Sequence, residues 1–293
     1  MKKRVYILPC ALAVLVLALA ILFICQALLA DKLLPFVAHG GRFHKITKTI
    51  FGIPHYYFMV LIGAIVACLL AFWRRKQYDL SIVHTIILMV LLSVQAFVGS
   101  KLLFALENGF VFDGLSLFGG VFMTVAFVPI VAIILKKEIA KLFDFIAPMG
   151  MTLIASVRMG CFMDGCCGAP LRYIGPKAFI LPVQLFEVIL DLSVLAVLLY
   201  LEQNKLTWGE KDKKINLYNG TLALVILASY GTYRFILEFW RATPKNLLGM
   251  SNGQVYSLIC LALSIIIFLN RKQKHDRALK KQMFHDKKHT KRH

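Results

Sequence analysis

Five stretches without a single Asp, Glu, Lys or Arg, residues 5–30, 50–73, 80–100, 114–135 and 247–270, dictate what this chain can become. Each holds at least 21 residues, and a helix of about 20 apolar residues crosses the ~30 Å hydrocarbon core of a bilayer. Three more runs are apolar with embedded charges: 145–163 with Arg158, 178–201 with Glu187 and Asp191, and 215–240 with Arg234 and Glu238. Of the 293 residues, 59% are hydrophobic, above the roughly 45–50% apolar share of a soluble domain. The chain therefore reads as all-α, a polytopic integral membrane protein with about eight transmembrane helices, and not as a water-soluble globule.

The first run follows MKKR, the polarity of a signal peptide. Its 26 uncharged residues exceed the ~7–15 of a signal h-region, and no small-x-small cleavage site follows, so a retained anchor is expected. Residues 1–49 then form the anchor and an outer loop, 50–270 the membrane domain and 271–293 a basic tail. GLSLFGG (114–120) opens one span with three glycines, which suits close helix packing or a helix start shaped around a ligand.

Net charge is +19, but its placement argues against nucleic acid as a partner. Lys and Arg gather in MKKR, WRRK (73–76), KKEIAK (136–141), the 202–216 loop and the tail from Arg271. Eight spans put all five on one side; the loop 31–49, with Lys32, Arg42, Lys45 and Lys48, is the exception. Cytoplasmic loops carry the excess positive charge, so both termini are expected inside. The tail is read as an unfolded, solvated determinant of topology and of the lipid surface.

Burying an ionisable side chain in a bilayer costs between ~3 and more than ~10 kcal/mol, so such residues face a protein interior or a wet cavity. Arg158 follows an uncharged run from 145, and the alternative to a cavity-facing role for it is snorkelling to the outer headgroups. YGTYRFILEFWR (230–241) spaces Arg234, Glu238 and Arg241 four and then three apart, on one helical face. LPVQLFEVILD (181–191) does the same with Gln184, Glu187 and Asp191. One shared cavity at the outer half of the bilayer explains all three, and its arginines suit a phospholipid phosphate, which matches the planar guanidinium fork.

At these residues the sequence resembles the prolipoprotein diacylglyceryl transferases, which move diacylglycerol from phosphatidylglycerol to the thiol of a lipobox cysteine and release glycerol phosphate. The family signature G-R-x-G-N-F-x-N-G is similar to SVRMGCFMDG, which makes Arg158 the counterpart of an essential arginine. P-S-Q-L-Y-E resembles PVQLFE, with Gln184 and Glu187, and Y-G-x-x-R-F-x-x-E-F-x-R is matched at every fixed position by Tyr230 to Arg241. The resemblance implies Arg234 as the second essential arginine, supported by Glu238 and Arg241. It aligns Tyr56 in IPHYYFMVLIG with a functional tyrosine, Gly168 with a functional glycine, and NGQVYSL with the start of the last span. The family's seven spans would begin at the second run here, leaving 5–30 as an extra helix.

The chain is a divergent member by this comparison. Where the family carries F-H-G-G, whose histidine is proposed to help activate the thiol, this chain has LFGG, and Phe118 cannot take a proton. The signature asparagines are Cys161 and Asp164 here, and Cys166–Cys167 lies outside the common pattern. Asp164, or a histidine of the outer loops, is a candidate base. For Cys161, Cys166 and Cys167 three readings stand open: packing at a helix end, a disulfide with Cys161–Cys166 the better pair, or metal or redox chemistry, with His39, His44 and His55 on the same side and no metal assigned. Cys10, Cys25, Cys68 and Cys260 are expected to pack within spans.

The function implied by the resemblance is diacylglyceryl transfer at the outer face of the bacterial plasma membrane, with phosphatidylglycerol and a prolipoprotein lipobox peptide as partners and no cofactor. Two alternatives are a non-catalytic protein that binds or transports anionic phospholipid, and a membrane thiol–disulfide protein.

Overall fold

The computed structural model describes residues 51–164, 166–169, 172–174, 177–179, 183–207, 219–245 and 249–290. The expected amino-terminal helix and the loop 31–49 lie outside the described residues. The helices are α1 His55–Arg74, α2 Ile82–Glu107, α3 Leu117–Ile134, α4 Ile139–Met163, α5 Val183–Thr207, α6 Thr221–Leu237 and α7 Asn252–Thr290. Among the described residues, these seven are long and apolar enough to cross a membrane. Between α4 and α5 a short ribbon, β1 Arg172–Ile174 and β2 Lys177–Phe179, pairs antiparallel with Tyr173 opposite Ala178. The run expected to span from 178 thus begins as a strand, and its helix starts at Val183.

The helix at the centre is α4. Some 72% of its most apolar window is buried, against at most 44% for any other span among the described residues. Its longest contacts are with α1 and α5, while α6 packs along α7 and α2 along α3. Periodicity explains the α1 seam. His55, Met59, Gly63, Ala67, Ala71 and Arg74 form its buried stripe, whereas Leu61, Ile65 and Leu69 are exposed for lipid. Small residues let the backbones approach, and Gly63 packs on Ser156 of α4. The glycines of GLSLFGG also serve helix packing, because a Cβ at Gly119 would stand 2.2 Å from the Gly99 carbonyl oxygen of α2.

An ionic lock missing from the sequence reading joins α1, α4, α5 and α6 at the end of the bundle opposite His55. Arg74 was counted there as a loop charge, yet its side chain is wholly buried. Its Nε donates to Glu202 Oε2 at 2.7 Å, and its Nη2 donates to Glu202 Oε1 at 2.5 Å and to the Asp144 carbonyl at 3.0 Å. That carbonyl is the one Pro148 deprives of its helical donor, since proline has no N–H and sits four residues on. Asp144 in turn accepts from Gly220 N at 2.6 Å and Leu222 N at 2.8 Å, satisfying orphan amides at the start of α6. To include Asp144, α4 starts at Ile139, six residues before the uncharged run.

The structure also corrects the expectation of an unfolded tail, because α7 continues as helix to Thr290. Residues 271–290 contain no Gly or Pro and are rich in Lys and Arg, which are good helix formers.

Breaking one partner of a buried pair leaves an uncompensated charge and costs about 3–5 kcal/mol. Arg74→Ala and Glu202→Ala should each lower the unfolding midpoint in detergent strongly. A midpoint equal to that of the parent for both would show that the lock does not hold the bundle.

Candidate functional site

The expected polar faces meet. Helix α4 brings Arg158 on its last turns, α5 brings Gln184, Glu187 and Asp191 near its start, and α6 brings Tyr230, Tyr233 and Arg234 near its end. All of these side chains are buried. Because α4 and α5 share two ionic centres, α4 sets their separation: Asp144 and Arg158 are 14 residues apart, or about 21 Å along a helix.

Glu187 is the hub. Its Oε2 lies 3.0 Å from Arg158 Nε and 3.3 Å from Arg241 Nη1, and its Oε1 accepts a short hydrogen bond from Arg234 Nη1. Glu238 is the second carboxylate, 2.8 Å from Arg234 Nη2 and 3.5 Å from Arg241 Nε. The expectation of one continuous helical face for 234, 238 and 241 needs a small correction. Helix α6 ends at Leu237, a 3-10 turn covers Glu238–Trp240, and Arg241 is extended. The tighter turn still returns Arg241 to Glu238.

Two residues that the sequence reading passed over complete this carboxylate. Thr243 Oγ1 donates to Glu238 Oε1 at 2.8 Å and Ser251 Oγ at 3.1 Å. Ser251 also forms a reciprocal cap with Gln254: Gln254 N donates to Ser251 Oγ at 3.2 Å, and Ser251 N to Gln254 Oε1 at 3.0 Å. The S-x-x-Q spacing was the available signal. Gly253 between them is required by space, since a Cβ would meet the Glu238 carboxylate at 2.9 Å.

Three guanidinium groups therefore share two carboxylates. Arg158 spends Nε on Glu187 and Nη2 on Tyr230 Oη at 3.4 Å. Asp191, the second acid on the α5 face, accepts a hydrogen bond from the Tyr233 hydroxyl. Direct ion pairs thus converge three guanidinium groups on Glu187 and Glu238, an arrangement of planar forks suited to an anionic ligand.

The other predicted residues fall at the rim. Tyr56 packs its backbone on Gly160, one residue from Cys161, while the neighbouring Tyr57 points out. Gln184 Nε2 donates to the Cys166 carbonyl at 2.6 Å, and Ala242 N to the Gly168 carbonyl at 3.2 Å. Asp164 caps α4 and lies 3.9 Å from His55 Nδ1. It forms no ion pair with the three arginines among the described residues. His39 and His44 lie outside the described residues, as do Cys10 and Cys25, while Cys260 is buried as a packing residue.

Phe118 is buried in an aromatic wall. Its ring centroid stands 5.8 Å from Tyr230 and 5.3 Å from Tyr256, so the wall runs directly behind the residue that contacts Arg158. The sulfurs of Cys161, Cys166 and Cys167 lie within 4.8 Å of one another, and none of the three is in a disulfide. Hydrogen bonds from Cys161 and Cys166 hold the Cys167 thiol well below its ordinary range, and Arg241 and Arg158 act in the same direction.

Fold and site together define a multi-pass helical membrane protein with an arginine–carboxylate centre buried at one end of the bundle. A family model described as prolipoprotein diacylglyceryl transferase matches residues 45–270, and the chain belongs to that family of membrane transferases. Curated relatives carry the name phosphatidylglycerol–prolipoprotein diacylglyceryl transferase. One from Dehalococcoides mccartyi is 25% identical over 247 residues, covering 76% of this chain and 91% of its own length. One from Clostridium tetani is 24% identical over 252 residues, covering 75% and 94%. One from Pseudoalteromonas translucida is 31% identical over 169 residues, covering 53% and 58%.

Removing the hub leaves three buried cations short of a counter-charge. Glu187→Ala should destabilise the protein by about 3–5 kcal/mol, more than Asp164→Asn at the half-buried rim, as read from thermal unfolding in detergent. Equal small losses for both would contradict the hub.

Proposed function

We propose that the protein transfers the diacylglyceryl group of phosphatidylglycerol to the cysteine thiol of a prolipoprotein lipobox, at the outer face of the bacterial plasma membrane. The observation that carries this reading is the convergence of three buried guanidinium groups on Glu187 and Glu238. A lipid phosphate suits such a cluster, and the bilayer delivers it laterally.

In this reading Arg158 and Arg234 hold the phosphate, and Glu187, Glu238 and Arg241 fix their guanidinium planes. Tyr56 contacts the headgroup, with Gln184 and Gly168 shaping the rim. As the glyceryl carbon–oxygen bond breaks, negative charge grows on the departing glycerol phosphate. Guanidinium groups already anchored by carboxylates stabilise it without reorganising, which is the largest common source of catalytic rate. The acceptor thiol must lose its proton, and Phe118 cannot accept it. Asp164 beside His55 is one acceptor at the rim. Orientation follows from charge: the basic segments 73–76, 136–141 and the tail share the cytoplasmic side, which puts Arg158 and Arg234 toward the outside.

Reconstituted protein, labelled phosphatidylglycerol and a lipobox peptide should yield a peptide heavier by one diacylglyceryl group in mass spectrometry. Arg158→Ala and Arg234→Ala should each slow transfer by about 100-fold or more, the scale seen when one charge-stabilising donor is removed. Co-purified lipid with no transfer would instead mark a protein that holds anionic phospholipid without turning it over. Full transfer by both variants would remove the arginines from the chemistry.

A further inference from the structure

The spacing C-x4-C-C does not by itself bring three sulfurs together; the chain after α4 does. Cys161 occupies the last turn of α4, and Cys166 N donates to the Cys161 carbonyl at 3.0 Å, folding the segment back over the helix end. Cys167 then takes φ +61°, a left-handed backbone that costs a non-glycine residue free energy. Two clamps hold this turn from other elements, Gln184 Nε2 on the Cys166 carbonyl at 2.6 Å and Ala242 N on the Gly168 carbonyl at 3.2 Å. All three Sγ atoms consequently lie within 4.8 Å.

The packing reading does not fit, because Cys166 and Cys167 are exposed and only Cys161 is buried. A disulfide would use two sulfurs and leave the third without a role in a strained, doubly clamped turn. A single cation uses all three. Thiolates about 2.3 Å from a tetrahedral zinc stand about 3.8 Å from each other, so a small inward movement of these sulfurs closes the set.

We propose that Cys161, Cys166 and Cys167 bind one soft d10 cation of the zinc type through three thiolates, leaving the fourth position open on the exposed side for the thiol of the acceptor cysteine. The cation site stands on the cysteine geometry; its fourth ligand rests on the transfer reading above. Soft thiolate sets select such ions over magnesium or calcium. Structural zinc sites carry four protein ligands, whereas three with an open position is the arrangement that admits a reactant.

The chemistry balances without an oxidant. The acceptor S–H gives its proton to solvent as its sulfur binds the cation, since a coordinating thiol is deprotonated outright. That sulfur then forms a bond to the glyceryl carbon, the carbon–oxygen bond to phosphate breaks, and its electron pair leaves on glycerol phosphate between Arg158 and Arg234. The thioether product is a far weaker ligand and departs, and the cation keeps its charge throughout. Such a site does the work for which Phe118 has no proton acceptor.

The full-length protein in detergent, stripped with chelator and titrated with zinc alone against a chromophoric competitor, should bind one zinc per chain. Cys161→Ser, Cys166→Ser and Cys167→Ser should each weaken it at least tenfold while eluting and unfolding as the parent does, and Cys68→Ser should not weaken it. Three alkylatable thiols with no zinc bound would overturn the proposal. So would a bridge between Cys161 and either neighbour in the purified chain, found by mass mapping. Zinc binding is read without lipid or peptide, so a zinc-loaded protein that transfers nothing counts against the transfer reading and not the site. Transfer that proceeds equally after stripping would overturn the fourth-ligand role.

Discussion

An ionised group inside a bilayer persists only beside its opposite, and in this protein that constraint organises the bundle. Both ends of α4 are pinned by clusters of buried charge. At one end Arg74 spans α1, α4 and α5 through Glu202 and the carbonyls around Pro148. At the other, Glu187 draws Arg158 of α4, Arg234 of α6 and Arg241 beyond it onto α5. The two clusters differ in how their guanidinium groups are paired. Around Arg74 one guanidinium meets the Glu202 carboxylate, its remaining donors find carbonyls and Tyr78, and the Asp144 carboxylate is held by backbone amides. Around Glu187 and Glu238 three guanidinium groups meet two carboxylates.

The three-arginine cluster lies beside a position where the resemblance implies a histidine and this chain has Phe118, packed against Phe122, Tyr230 and Tyr256. The ring cannot exchange protons, but it packs against the tyrosine that touches Arg158 and so restrains the guanidinium. At the rim Cys161 stands where the resemblance implies an asparagine, and Cys166 and Cys167 follow it.

Much of this was legible in the sequence, and the limits have physical causes. The spans were visible because hydrocarbon demands long uncharged runs, and Arg158, Glu187 and Arg234 stood out because such runs tolerate no idle charge. Helical spacing put Gln184, Glu187 and Asp191 on one face, and all three are buried there. Arg74 was misread for the opposite reason. It lies at a span end within WRRK, and its partner is 128 residues away, so nothing local distinguishes it from a loop cation. Asp144 was hidden likewise, because its ligands are backbone amides near Gly220, which leave no residue-type signature. The convergence of the cysteines depends on a left-handed turn at Cys167 and on clamps from 184 and 242. The helix from 271 to 290 agrees with residue propensity, which a reading centred on charge discounted.

A carboxylate shared by three arginines has a consequence for how this centre can be dissected. Each cation both attracts Glu187 and repels its two neighbours, so the free energy attached to any one of them depends on whether the others are present. Removing Arg158 relieves repulsion on Arg234 and Arg241 even as it strips Glu187 of a partner. Groups joined in one ionic network couple by roughly 0.5–3 kcal/mol. Substitutions made singly will therefore misstate the worth of each guanidinium, and only cycles that change two or three of them together can apportion it.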